Sequence, residues 1–96
     1  MIRHVAVFRF KPEFTQEQRQ AWIDMIKDLP RSIPEVKALS IGTDVLRGPS
    51  SYDVGLVADF ESLEDLDAYS RHPKHDEVLA VSGPVKEHLA MADFEF

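Results

Sequence analysis

The chain has 96 residues, 44% of them apolar and 29% charged, and its 11 Lys and Arg against 17 Asp and Glu give a formal charge of -6. That length holds one core, so a single domain over residues 1–96 is expected. The acidic balance argues against nucleic acid and anionic membrane surfaces, no apolar run approaches a membrane span, and zero cysteines exclude disulfides, thiolate metal sites and cysteine nucleophiles.

Residues 2 to 11 alternate, with His4, Ala6, Phe8 and Phe10 on one side and Arg3, Val5, Val7, Arg9 and Lys11 on the other. This predicts a strand that Pro12 stops. Met1 runs straight into that pattern instead of a secretion signal, so a cytoplasmic location is expected. Thr15 and Gln18 form a capping-box signature, and Trp22, Met25, Ile26 and Leu29 then fall at i, i+3, i+4 and i+7. A helix is predicted there, ending before Pro30. Trp22 is readable as a ligand-facing ring or as an ordinary core aromatic.

A second strand is predicted over 36–46, with Leu39, Ile41 and Val45 on one face and Val36, Ala38, Ser40 and Gly42 on the other. Arg47 to Ser51 reads as a loop without the pattern of a phosphate-binding loop. Residues 52–60 alternate as a third strand, with Val54, Leu56, Ala58 and Phe60 opposite Val57. Ser62 then caps a helix whose Leu63, Leu66 and Tyr69 share a face. Pro73 breaks it, and Val78, Leu79 and Ser82 lie on the side of His75 in the next helix. After Gly83-Pro84 come a turn over Val85 to His88 and a last strand over 89–96, with Leu89 and Met91 opposite Ala90, Ala92 and Phe94.

The order strand, helix, strand, strand, helices, strand predicts an α+β, ferredoxin-like split βαβ fold with a four-stranded antiparallel sheet and helices on one face. The other face is expected to carry Val5, Val7, Leu39, Ile41, Val57, Leu89 and Met91, rimmed by charges that include Asp93. An apolar face rimmed in this way predicts a partner, most simply a second copy. Burying roughly 600 Å² per subunit would contribute about 15 kcal/mol gross.

The densest chemistry lies in Tyr69-Ser70-Arg71-His72-Pro73-Lys74-His75. In one unbroken helix Tyr69 and His75 would stand about 120° apart. The proline break can turn both toward a common cavity. His4, Phe8, Trp22, Ile26, His72 and Leu79 are the expected substrate contacts. Against this, Tyr69 is readable as a core aromatic, His75 as an exposed residue of a first helical turn, and His4 as a satisfied sheet histidine. His72, His75 and Asp76 do not have the spacing of a helical zinc site, so no metal centre is expected.

The opening His4-Val-Ala-Val-Phe-Arg-Phe-Lys, the Tyr-x-x-His-Pro-x-His segment and the closing Met91-Ala-Asp-Phe-Glu resemble the stress-responsive A/B barrel (Dabb) family along essentially the whole chain. That resemblance implies a dimeric α+β barrel in which two sheets pack face to face. One family member, a plant polyketide cyclase, works without a cofactor, and its tyrosine–histidine pair falls on Tyr69 and His75, with a pocket histidine on His4. The resemblance thus implies a cofactor-free lyase, cyclase or isomerase. His75 would act as base and Tyr69 as hydrogen-bond donor. The alternatives are a non-catalytic ligand-binding or stress-response dimer and a cofactor-free monooxygenase-like or haem-handling barrel. An open space between sheet and helices favours catalysis. One filled by Trp22, Phe8, Ile26 and Phe94 does not.

Overall fold

The computed structural model describes residues 1–96. Strand β1 (Ile2–Phe10) is followed by helix α1 (Gln16–Ser32), strands β2 (Ala38–Thr43) and β3 (Val54–Phe60), helices α2 (Leu63–Arg71) and α3 (Pro73–Ser82), a short 3₁₀ turn (Gly83–Val85) and strand β4 (Lys86–Glu95). All pairs in the sheet are antiparallel and its order is β2-β3-β1-β4. This is the expected ferredoxin-like plan. No helix is long and apolar enough to cross a membrane.

Thr15 caps α1 as predicted. The Gln18 N–H donates to Thr15 Oγ1 at 3.1 Å, and the Thr15 N–H donates to Gln18 Oε1 at 3.0 Å. The helix does not stop before Pro30 but carries it in its last turn and ends at Ser32. A proline there forfeits a single backbone bond, while Leu29 and Ile33 on either side of it are buried in the core. Ser62 caps α2, accepting from the Asp65 N–H at 3.1 Å. Only the later part of α2 meets the core. Leu66 is partly buried and Tyr69 buried, but Leu63, expected on the same face, is 66% exposed.

The strand register corrects the assignment of faces. Residues directly opposite one another across an antiparallel pair share a face. One cross-sheet row is Asp93, His4, Ala58, Leu39, the next is Met91, Ala6, Leu56, Ile41, and a third joins Leu89, Phe8 and Val54. These rows face the helices. Leu39, Ile41, Leu89 and Met91 therefore do not belong to the outer face, nor does Asp93 rim it. The error is a one-residue phase inversion in β2 and β4, both of which carry apolar residues on both sides. Strand β2 also ends at Thr43, leaving Val45 in the loop and 95% exposed.

The outer face instead holds the rows Ala92, Val5, Val57, Ser40 and Ala90, Val7, Gly55, Gly42, with Phe94 and Ala38 flanking the Arg3–Asp59 pair. Its centre is apolar and carries small side chains. At Gly42 and Gly55, opposite each other, an added Cβ would meet nothing within 4 Å. Strand β4 begins at Lys86 rather than 89, so His88 lies in the sheet opposite Arg9, not in a turn. Its Nδ1 stands 2.7 Å from the Tyr52 hydroxyl.

Candidate functional site

A cavity of about 320 Å³ lies between the sheet and the helices. Its lining includes seven of the eight expected residues, His4, Phe8, Trp22, Ile26, Tyr69, His75 and Leu79, together with Ala6, Leu56, Ser70, Val78, Ser82, Leu89 and Met91. Trp22, Phe8 and Ile26 form walls and leave the space open. Phe94, on the outer face, takes no part. Leu89 and Met91 escape sequence reasoning because of the inverted phase of β4. The signal that could have placed them is size, since Leu89 and Met91 are larger than Ala90 and Ala92 across the strand.

The eighth residue, His72, is not in the lining. It ends α2 and caps α3, with its Nδ1 accepting from the Lys74 N–H at 3.0 Å and Pro73 in the first turn behind it. A proline at that position has no N–H to leave unpaired, and its fixed φ suits the helix start. The capped break turns the chain so that Tyr69 from α2 and His75 from α3 face each other, with ring centroids 4.6 Å apart and planes at 57°. His72→Ala should lose the cap and about 1 kcal/mol of stability, while His72→Asn, which restores an acceptor, should lose little. Chemical denaturation of the two variants checks this, and equal losses would show that the cap contributes nothing.

The two facing groups are tuned in complementary directions. Tyr69 is 4% exposed, and burial pushes its phenol up to about 12, so it holds its proton. Burial pushes the His75 imidazole below its ordinary value of 6.5, opposed by the Asp76 charge and the Ser70 carbonyl dipole and assisted by His4. Its Nδ1 is buried with no hydrogen-bond partner. A neutral imidazole beside a protonated phenol is a base next to a hydrogen-bond donor.

His4 completes the polar end. Its ring lies 6.4 Å from that of Tyr69, and its Nδ1 stands 2.5 Å from Asp93 Oδ1, directly across the sheet. The carboxylate accepts from Nδ1–H, which holds the ring in place and leaves Nε2 free. No group of three or more His, Asp or Glu side chains is placed to hold a metal ion.

Comparison with known proteins bears on the family and the fold. The family described as Stress responsive A/B Barrel Domain matches residues 2–96. Olivetolic acid cyclase from Cannabis sativa is 30% identical over 76 residues, covering 77% of this chain and 75% of the cyclase. A dimeric ferredoxin-like protein from Thermobifida fusca is 33% identical, with a TM-score of 0.90 over 99% of this chain and 90% of its own. Hydroxynitrile lyase from Passiflora edulis shares the fold at 23% identity, with a TM-score of 0.83 over 97% of this chain and 90% of the lyase.

Proposed function

This chain belongs to the stress-responsive A/B barrel family, and from that premise we propose that it is a homodimeric, cytoplasmic small-molecule enzyme that moves protons without a cofactor. The observation that carries this reading is the facing of His75 and Tyr69 in an open chamber, where burial favours the neutral imidazole and the protonated phenol. His75 takes a proton from the carbon next to a substrate carbonyl. The electron pair of the broken C–H bond moves onto the carbonyl oxygen. Tyr69 donates a hydrogen bond to that oxygen as its charge grows. The enolate carbon then attacks a second carbonyl of the same molecule, forming a ring and an alkoxide that takes the proton from His75, or, where the enolate is conjugated, that proton is returned at a different carbon. His4, oriented by Asp93, holds the substrate, and the His75 imidazolium returns the proton. The cyclase relative supports the first outcome.

The test uses deuterium oxide. Incubation with small methyl ketones and β-dicarbonyl compounds should exchange the acidic C–H protons for deuterium faster than buffer alone. Exchange at the buffer rate with every compound would remove the catalytic reading. A second reading, a module that binds without turnover, is favoured by the apolar character of ten of the fourteen lining residues. Saturable binding without exchange would decide for it.

The outer sheet face supports the dimer. Val5, Val7, Val57, Ala90 and Ala92 make a surface that fits a second sheet, as packed sheets interdigitate at about 10 Å. Val7→Glu places a charge beside Ala90 and Gly55, where the monomer has room for it. Light scattering should then report half the native mass with native circular dichroism. A Val7→Glu protein that remains a dimer would place the interface elsewhere.

A further inference from the structure

The chamber has a polar end, formed by His4, Ser70, Tyr69 and His75, and an apolar remainder walled by Phe8, Trp22 and their neighbours. None of its fourteen lining residues is Lys or Arg. Apart from the histidines themselves, the charged groups acting on the polar end are carboxylates. Asp93 lies against His4, and Asp76 acts on His75. Accepting on the proposed reading that this chamber holds the substrate, we propose that it selects by charge. It takes a neutral carbonyl compound with one apolar arm and turns away carboxylates and phosphates.

Two physical arguments support the filter. A carboxylate moved from water into a largely apolar cavity loses its hydration and needs a cation or several donors in exchange. The Ser70 and Ser82 hydroxyls already donate to the Leu66 and Val78 carbonyls, which leaves one phenol and imidazoles flanked by acids. The net charge of -6 adds a weaker, salt-screened repulsion. A neutral carbonyl needs only the single hydrogen bond that Tyr69 offers. Size limits the class further. At 320 Å³ the chamber is about twice the roughly 150 Å³ that accommodates benzene, so the occupant has about a dozen non-hydrogen atoms.

Benzylacetone and hydrocinnamate test the filter, because they differ only by a methyl group against a carboxylate oxygen. Trp22 is the one tryptophan of the chain and lines the chamber, so its indole N–H NMR resonance reports occupancy. At neutral pH the ketone should bind at least about tenfold more tightly than the acid anion. Met91, in the lining and 61% exposed, is a position where a long cation fits. Met91→Arg should therefore narrow or reverse the preference. Equal binding of the two compounds to the native protein would overturn the filter and leave the chamber reading intact. Binding of neither would overturn both. A preference unchanged in Met91→Arg would show that charge is not its cause.

Discussion

His75→Gln should reduce enzyme-dependent deuterium exchange by about two to four orders of magnitude, because the amide cannot take a proton at neutral pH. Tyr69→Phe should cost about a hundredfold or more, since the growing oxyanion loses its donor while the ring packing stays in place. The pH profile adds a check that simple loss of structure would not reproduce. Only the neutral imidazole is a base, and burial lowers its pKa, so the rate should fall as pH drops through a value below 6.5. Raising the pH should bring no loss from Tyr69 until about 12, where its proton leaves. An acid limb above 6.5, or near-native rates in both variants, would assign the chemistry to other groups.

Trp22→Ala should be the most damaging single change to stability. The indole is 1% exposed and meets Phe8 and Phe10 edge-on at centroid distances of 5.0 and 5.2 Å. Its Nε1–H donates to the Val78 carbonyl at 3.3 Å, tying α1 to α3. Truncating a buried tryptophan costs about 3–5 kcal/mol, a large part of the roughly 5–15 kcal/mol that holds a domain. Urea unfolding at fixed protomer concentration measures this, since a dimer's apparent stability depends on that concentration. A loss below about 1 kcal/mol would mean that the neighbouring rings close over the gap. Trp22→Phe keeps the edge contacts but not the hydrogen bond, and should fall between the two proteins.

The hinge is legible in the sequence because its signals are local. Ser62 and Pro73 mark the starts of the two helices without reference to the rest of the chain. That break is what allows Tyr69 and His75 to turn toward one cavity, beside the readings of Tyr69 as a core aromatic and His75 as an exposed first-turn residue. The faces of β2 and β4 are not legible in the same way. Periodicity defines two sides of a strand but does not say which side is inward when both carry apolar groups, and the choice is made by pairing with β3 and β1. Hence Leu39, Ile41, Leu89 and Met91 read as outer residues while the sheet turns them inward. Asp93 is the functional casualty of that ambiguity. Its meeting with His4 joins positions 89 residues apart and depends on register alone. The passage of α1 through Pro30 is a third kind of failure, in which burial of Leu29 and Ile33 outweighs a local rule.

Strand β4 carries two inscriptions on one ribbon. Leu89, Met91 and Asp93 look inward, while Ala90, Ala92 and Phe94 look outward. Substitution in the first set changes the chamber side of the sheet and leaves the outer face as it is, and the reverse holds for the second set. A single inserted residue would be different, because it would transpose both scripts at once. Lineages should therefore vary freely by substitution along this strand while keeping its length.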